Sequence, residues 1–402
     1  MSHVRCLRAL GSIALASVFC NLGANAQQIK TVFVIAMENH NWTQPANQFT
    51  GGIQQIFQNP NAPFINSLVN GTGFAVINDG TVNISEQTAY ATAYHNVLAT
   101  PSGNNPDIHP SEPNYIWAEA GTNFGVLNDN DPFRTSGTNQ NTALHLSTLL
   151  SKAGKTWKSY QEDIDLSRND AGQLINIPLP QDQWTVPLTS FSGVFGDNTI
   201  NDFNGASQFN YAAKHNPMVF FTDTNGGNNA TPTNPLSHHY APLQQLMTDL
   251  ANNTVADYNW ITPNQYNDMH TSLTGGFKGL TGDAANIRQG DDFLKQIVPV
   301  IMASKAYKDH GAIILWWDES ESDGVSGDKP DSFNHTIAEI IISPRAHKNV
   351  HGLPYASAVN FTHSSDLRTM QNIFHVGPYL ADAANANDLS DLFDAGAIPK
   401  KP

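Results

Sequence analysis

The sequence predicts an α/β fold in which helices sandwich a mainly parallel central sheet. Short β-branched and aromatic runs alternate along the chain with segments of helical periodicity, an order typical of such sheets. The apolar runs lack a clean apolar–polar alternation, as expected for strands that are covered on both faces. With 402 residues, 40% of them hydrophobic and 14% charged, the chain is long enough to bury the core of one large domain.

The elements can be assigned in chain order. Seven apolar runs are interpreted as strands: residues 31–37, 73–77, 156–160, 218–222, 258–261, 312–317 and 338–343. Five amphipathic segments are interpreted as helices: residues 62–69, 142–153, 243–251, 291–304 and 364–374. Residues 169–209 are rich in Pro, Gly and Asn and have weak periodicity, which indicates an inserted cap or loop region rather than a separate domain.

The first 26 residues have the pattern of a secretory signal peptide. Arg5 and Arg8 precede an apolar stretch at residues 9–22, and Ala24-Asn25-Ala26 provides an A-x-A cleavage pattern. We therefore predict an exported protein, secreted or periplasmic, with a single domain over residues 27–402.

Cysteine content and charge narrow the class of protein. Both cysteines, Cys6 and Cys20, lie in the predicted signal peptide, which removes disulfides, thiolate metal sites and cysteine nucleophiles from the rest of the chain. Without residues 1–26 the chain keeps 18 of its 20 basic residues and all 35 acidic ones, an excess of 17 acids. Such an acidic chain is not expected to bind nucleic acid. A metal and local cations would still allow a small phosphate ester to bind.

Polar clusters follow the strongest predicted strands, at the edge where an open parallel sheet binds ligands. Glu38 and Asn39 come directly after the first strand, and Asp318 and Glu319 come after the most apolar one. Carboxylate and amide oxygens are hard ligands that suit a divalent cation. A helix-capping loop is the alternative for the first pair, whereas two adjacent carboxylates after a buried run favour a cation or solvent.

Ser111 begins a potential helix that extends to Ala120. It lies in the block His109-Pro110-Ser111-Glu112-Pro113-Asn114-Tyr115. A serine at this position is either an N-cap residue or a nucleophile, because a helix N-terminus favours both an alkoxide and a bound phosphate. Asn114 and Tyr115, one turn further on, could donate to phosphoryl oxygens. Spacing alone does not decide between the two roles of Ser111.

Several histidines are further candidates. Asp268 and His270 lie two residues apart beyond a predicted strand, and alternate residues of an extended chain face the same side. His363 opens the last predicted helix, where an ordinary N-terminal polar cluster is the alternative. His335 and the pair His238-His239 are weaker candidates, since isolated histidines among fifteen are usually structural or on the surface. The sequence contains no G-x-S-x-G, Walker-type P-loop or H-E-x-x-H motif, so serine-hydrolase, nucleotide-switch and zincin functions lose support.

Taken in order, these clusters resemble those of the phosphoesterase family that joins exported acid phosphatases with bacterial phospholipases C, within the alkaline-phosphatase-like superfamily. The resemblance extends from about residue 31 to 376, and its H-P-S-x-P-N-Y block is most similar to the acid phosphatase side. The blocks that carry it are residues 37–40, 109–115, 123–125, 262–270, 317–319, 340–344 and 363–369.

The resemblance implies an alkaline-phosphatase-like fold and a metal-dependent site. Glu38, Asn39, Asp318 and Glu319 correspond to the metal ligands of the family, and Ser111 corresponds to its nucleophile. One divalent ion is expected and two are possible, and the identity of the metal is not implied.

The remaining candidates have less definite roles. In the wider superfamily, groups like Asp268, His270 and His363 hold a second metal, whereas in the acid phosphatases they would hold phosphate or protonate the leaving group. We assign His270 and His363 to catalysis. We assign His109, Asn114, Asp268 and His335 to substrate binding.

The leading hypothesis is an exported hydrolase that cleaves small phosphate monoesters through a phosphoserine intermediate. The first alternative is a phospholipase C, which would cleave phospholipid phosphodiesters and contact the membrane. The second is a non-catalytic exported binding protein that keeps the fold and a structural cation. The sequence does not predict the oligomeric state.

Overall fold

The structure is a computed structural model that describes residues 28–44, 55–78, 80–96, 109–133, 138–320, 336–349 and 353–400. The predicted signal peptide and His335 lie outside these residues. The strands are β1 (Thr31–Met37), β2 (Asn41–Thr43), β3 (Phe74–Ile77), β4 (Gly80–Asn83), β5 (Thr88–Ala91), β6 (Tyr94–His95), β7 (Trp157–Gln161), β8 (Leu166–Arg168), β9 (Leu174–Pro178), β10 (Phe191–Val194), β11 (Gln208–Tyr211), β12 (Tyr240–Pro242), β13 (Tyr258–Thr262), β14 (Gly311–Trp317), β15 (Thr336–Ile337), β16 (Glu339–Ile342), β17 (Tyr355–Ser357) and β18 (Phe361–Thr362). The α-helices are α1 (Pro63–Asn70), α2 (Ser111–Ala120), α3 (Leu146–Lys152), α4 (Gln244–Asn252), α5 (Asp283–Ala303), α6 (Lys305–Lys308) and α7 (His363–Ile373).

An eight-stranded sheet forms the centre of the fold. Its strand order is β12-β7-β13-β1-β14-β16-β5-β17. Seven strands run in the same direction, and β16 is antiparallel to both of its neighbours. The central strands β1 and β14 are almost entirely buried, which explains why their sequences are continuous apolar runs. The predicted α/β class with a mainly parallel sheet is confirmed.

Helices cover both faces of this sheet. In the register of β1 and β14, Ala36 pairs with Trp316 and Met37 pairs with Trp317, so the two pairs point to opposite faces. The Tyr115 ring of α2 packs edge-on against Trp316. On the other face, Gly290 of α5 lies so close to the Met37 side chain that a Cβ atom at this position would be 2.9 Å from it. Helices α2 and α5 therefore enclose the sheet from its two sides.

Three predicted strands differ from the structure. Residues 217–220 form a short 3₁₀ helix that begins at Pro217, so the strand predicted at 218–222 is wrong. A short apolar run does not distinguish the two states, and Pro217 starts the turn by fixing its own φ. The run at 73–77 belongs to the separate β3–β4 hairpin rather than to the central sheet. The run at 338–343 enters the sheet as the reversed strand β16.

Two antiparallel hairpins, β8–β9 and β10–β11, extend over residues 166–211 and include the segment rich in Pro, Gly and Asn. They share a small apolar cluster formed by Leu166, Phe195 and Phe209. Residues 169–209 are thus built of local pairings outside the central sheet, which explains the weak periodicity of their sequence.

No helix in the described part of the chain is both long enough and apolar enough to cross a membrane.

A buried histidine ties the far end of α2 to two other segments. His145 Nδ1 lies 2.9 Å from Glu119 Oε2, and His145 Nε2 lies 2.8 Å from Asp223 Oδ1. Carboxylates only accept hydrogen bonds, so both ring nitrogens carry protons and the ring is an imidazolium. Burial alone would lower the pKa of His145, but the hydrogen bonds to Asp223 and Glu119 outweigh burial and raise this pKa above 6.5. Ser147 Oγ donates to the other oxygen of Glu119 at 2.9 Å.

We predict that His145→Gln lowers the free energy of unfolding at pH 5 by about 3 kcal/mol, since it leaves a buried carboxylate without its partner. The folded-state pKa is raised, so this stabilisation is fully present below the unfolded-state value of 6.5 and is lost as the pH rises through the folded-state value. Thermal denaturation of wild type and variant at pH 5 and pH 9 measures the difference. His238→Gln, at an exposed histidine, is the control. A loss that is equal at both pH values would contradict the imidazolium assignment.

Candidate functional site

Three neighbouring strands bring the predicted polar clusters to one edge of the sheet. β13, β1 and β14 are adjacent and parallel, and their carboxyl ends lead to Asp268, Glu38 and Asp318. Backbone hydrogen bonds fix the segments beyond the strands: Glu38 N donates to Asp268 O at 2.8 Å, and Asp318 N donates to Met37 O at 3.2 Å. All three carboxylic side chains are buried at this edge.

Ser111 is the first residue of α2 and its hydroxyl points at the carboxylates. The N-cap position is occupied by Pro110, and no side chain caps this helix end. Ser111 Oγ instead donates to Glu38 Oε2 at 2.9 Å. The N-cap role that the sequence left open is therefore excluded, and the hydroxyl is held between the helix N-terminus and Glu38.

Asn39 places its amide at the centre of the acidic cluster. Its backbone adopts a left-handed conformation with a φ of 46°, which asparagine tolerates better than most residues. The end of the amide lies 2.9 Å from Glu38 Oε2 and 3.2 Å from an oxygen of each of Asp318 and Glu319. With its nitrogen inward, the amide donates to these oxygens. With its oxygen inward, four acceptors converge on one point, an arrangement that a divalent cation would stabilise.

A second donor set overlaps with the first. Nε2 of His215 lies 3.2 Å from Glu38 Oε1, and Nδ1 lies 3.3 Å from Asp268 Oδ2. Neither contact meets hydrogen-bond geometry, so both ring nitrogens of His215 and Oδ2 of Asp268 have no hydrogen-bond partner among the described residues. Glu38, His215 and Asp268 together form a buried group that could bind a metal ion. Tyr115 OH donates to Glu38 Oε1 at 2.5 Å.

Burial makes negative charge costly at this edge. Burial, and then the charges of Asp318 and Asp268, raise the pKa of Glu38 well above its usual value. Burial followed by the charge of Glu319 raises the pKa of Asp318 to about 8. Burial also raises the pKa values of Asp268 and Glu319. Without a counter-cation these groups favour their neutral forms, and a divalent ion would remove that preference.

His363 contacts the acidic cluster through the backbone of Asp318. Its Nε2 contacts the backbone carbonyl of Asp318, and its Nδ1 accepts from Trp316 Nε1 at 3.1 Å. An indole N–H can only donate and a carbonyl can only accept, so His363 is neutral with its proton on Nε2. In agreement, burial lowers the pKa of His363 to about 3. This geometry fixes the position of the Asp318 backbone.

The other predicted residues line the cluster from the outside. His109 Nδ1 lies 2.9 Å from Glu319 Oε2, and Asn114 Nδ2 donates to the same oxygen at 3.3 Å. The His270 ring lies 5.9 Å from the His215 ring, and its Nδ1 is 2.9 Å from Thr271 Oγ1. Burial, and then the charge of Lys214, lower the pKa of His270 to about 4.

The candidate pair His238-His239 lies away from the acidic cluster. His239 stacks on Trp157 with ring centroids 4.1 Å apart, at the β12–β7 edge of the sheet, so the pair His238-His239 is not part of the cluster.

Two residues at the site are not predicted from the sequence. His215 and its neighbour Lys214 enter from a short 3₁₀ helix (Ala213–His215) that follows the β10–β11 hairpin. Neither residue follows a strand of the central sheet, so the sequence carried no signal for them.

Comparison with known proteins gives several partial matches. The chain is 30% identical over 171 residues to an acid phosphatase of Aspergillus fumigatus, which covers 42% of this chain and 30% of that protein. It is 24% identical over 217 residues to a probable acid phosphatase of Kluyveromyces lactis, covering 54% and 39% of the two chains. The matches therefore span well under half of the length of these relatives.

A solved protein of the alkaline phosphatase superfamily from Vibrio parahaemolyticus aligns over 91% of this chain and 72% of its own, with 11% identity and a TM-score of 0.45. This likeness is too low to bear on activity. The family model described as "Phosphoesterase family" matches residues 22–377, which include every described residue of the acidic cluster. The chain belongs to the phosphoesterase family.

Proposed function

We propose that this protein is an exported, metal-dependent acid phosphatase that hydrolyses phosphate monoesters through a phosphoserine on Ser111. The observation that carries the proposal is the hydroxyl of Ser111, which lies at the N-terminus of α2 and 2.9 Å from Glu38 Oε2. Membership of the phosphoesterase family supports phosphoester hydrolysis. The partial matches to acid phosphatases favour the monoester class. Export is inferred from the predicted signal peptide.

Glu38, Asn39, Asp318 and Glu319 would hold one divalent cation in this proposal. The convergence of their oxygens on the Asn39 amide supports this set, and the hard oxygen donors suit a divalent ion. When bound, the cation would polarise a phosphoryl oxygen and lower the pKa of the nearby hydroxyl. His215 and Asp268 remain outside this set as groups beside it.

Glu38 and the N-terminus of α2 have separate roles in the attack of Ser111 on the substrate. Glu38 Oε2 accepts the hydrogen bond of Ser111 and so orients the hydroxyl lone pairs for in-line attack. The N-terminus of α2 favours the negative charge that develops on the transferred phosphoryl group. The reaction is largely a matter of position and charge, which suits groups that a rigid sheet edge and a helix hold in place.

Histidines and amides complete the site. His109 and Asn114 both contact Glu319, and we propose that they bind phosphoryl oxygens of the substrate at the rim of the acidic cluster. Thr271 engages Nδ1 of His270, and we assign Nε2 to proton transfer to the leaving group, which requires the negative charge of the bound substrate to raise the pKa of His270 from about 4. We assign His363 to positioning, because both of its nitrogens are engaged with Asp318 and Trp316. His335, which lies outside the described residues, remains a candidate for substrate binding.

The two overlapping donor sets can be separated by their metal affinity. We predict that Asp318→Asn weakens divalent-cation binding by at least about 100-fold, since losing a direct charged ligand should cost more than the roughly 10- to 100-fold loss typical of a residue that only orients one, whereas His215→Gln weakens it less. Titration calorimetry of chelator-treated protein with Mn²⁺, Mg²⁺, Ca²⁺ and Zn²⁺ measures both affinities. The reverse ranking would move the ion to Glu38, His215 and Asp268.

Ser111→Ala tests the nucleophile. We predict that the variant folds and binds the cation but loses turnover of p-nitrophenyl phosphate by roughly three orders of magnitude or more, since no covalent intermediate can form. Rapid acid quench of the wild type with ³²P-labelled substrate should trap label on Ser111. Ser207→Ala, at an exposed serine directly before β11, is the control and should retain activity.

The substrate class is decided with the same wild-type preparation. Faster turnover of p-nitrophenyl phosphate than of p-nitrophenyl phosphorylcholine supports the monoesterase, and activity confined to the diester supports the phospholipase C alternative. If metal-loaded wild type hydrolyses neither compound with any of the four cations, the protein is a binding protein rather than an enzyme.

A further inference from the structure

The carboxylate of Asp129 contacts two groups that could bind an anion beside Ser111, the proposed nucleophile. Asp129 Oδ2 lies 2.8 Å from Lys214 Nζ, and Asp129 Oδ1 accepts from Glu112 N at 3.2 Å. Glu112 is the second residue of α2, so its N–H is one of the helix N-terminal donors that lack an intrahelical partner. A lysine ammonium and a free N–H at a helix N-terminus are groups that bind phosphate in other proteins. The Asp129 carboxylate thus stands where an anion would bind.

Lys214 lies within electrostatic range of the whole acidic cluster. Burial raises the pKa values of Glu38, Asp268 and Glu319, and the positive charge of Lys214 opposes that rise. Only 12% of its side chain is exposed, and the next residue, His215, contacts Glu38 and Asp268. The ammonium is therefore largely shielded from solvent while its charge acts on the cluster.

The charge balance of the acidic cluster shows why the binding of a phosphate dianion needs the ammonium of Lys214. Four ionised carboxylates outnumber the combined charge of one divalent ion and Lys214, so the site stays negative before any substrate enters. A phosphate monoester near neutral pH brings up to two further negative charges. Coulomb repulsion in a buried site is strong, so a dianion enters only if a nearby cation is released to it.

We propose that Lys214 binds the phosphoryl dianion of the substrate and that Asp129 holds this ammonium, together with Glu112 N–H, until the dianion replaces the carboxylate. The inference rests on the proposed phosphoester hydrolysis and adds to it a residue that selects the substrate class. The Asp129 side chain is 35% exposed, so it can turn to solvent while Lys214 remains partly buried. A monoester dianion gains more from the ammonium than a diester monoanion does, so the exchange favours monoesters.

The binding of inorganic phosphate tests the exchange without any turnover. With metal-loaded protein, Lys214→Met should raise the Kd for phosphate by about 10- to 100-fold, the effect of losing one charge-assisted contact. Lys214→Arg should keep part of the affinity, because the charge remains while the geometry changes. Asp129→Asn should tighten phosphate binding several-fold, because the competing carboxylate is gone. Lys278→Met, at an exposed lysine that pairs with Asp292, is the control and should leave Kd unchanged.

Kinetics give a second readout. Lys214→Met should raise KM for p-nitrophenyl phosphate far more than it lowers kcat, and should reduce the ratio of monoester to diester turnover. A Kd that changes less than twofold in Lys214→Met, or phosphate binding that weakens in Asp129→Asn, would overturn the proposal. If Lys214→Met does not fold, Asp129→Asn decides alone, since unchanged or weaker phosphate binding contradicts the exchange.

These outcomes are independent of the nucleophile. Phosphate affinity is measured without catalysis, so the comparison of Kd values still tests the role of Lys214 even if Ser111 proves not to be the nucleophile. Wild-type protein that binds no phosphate when loaded with metal would overturn the role of Lys214 even if Ser111 proves to be the nucleophile.

Discussion

Four carboxylic acids buried at one edge of the sheet are the constraint on which the rest of this site depends. Glu38, Asp268, Asp318 and Glu319 are each buried, and burial raises the pKa of every one of them. Such a cluster is stable only with protons, with hydrogen-bond donors or with a cation. The Asn39 amide, the Ser111 hydroxyl and the Tyr115 hydroxyl supply donors, and a divalent ion would supply the remaining charge. A cation that offsets the cost of the buried carboxylates would also stabilise the negative charge of a phosphoryl group, so this cluster suits phosphoryl transfer.

The scaffold positions these groups through its two rigid parts. Adjacent parallel strands end in the carboxylates, and α2 brings Ser111 to them with its N-terminus. The other end of α2 is held through Glu119 by the His145 imidazolium, so the helix is fixed at both ends. His363 supports Asp318 through the backbone carbonyl. The hydroxyl of Ser111, the proposed nucleophile, is therefore positioned by a helix rather than by a loop.

Much of this site could be predicted from the sequence, because Glu38-Asn39 and Asp318-Glu319 directly follow strongly apolar strands. The sequence alone leaves both the N-cap role and the nucleophilic role of Ser111 open. The structure removes the first, because the hydroxyl donates to Glu38, and the second remains our proposal. His215 and Lys214 could not be predicted, because a short 3₁₀ helix after a local hairpin carries no periodic pattern. For a similar reason the run at 218–222 was assigned as a strand, and the reversed direction of β16 is set by its neighbours rather than by its own residues.

The central claim is that the acidic cluster holds a divalent ion next to Ser111. Anomalous diffraction from crystals grown with Mn²⁺ and orthovanadate tests this claim most directly, because it locates the ion independently of activity. One manganese peak, present above but not below the Mn absorption edge, is expected within about 2.0 to 2.6 Å of oxygens from Glu38, Asn39, Asp318 and Glu319, with vanadium bound to Ser111 Oγ. A peak coordinated by His215 and Asp268 alone, or fully ordered carboxylates with no ion among them, would contradict it.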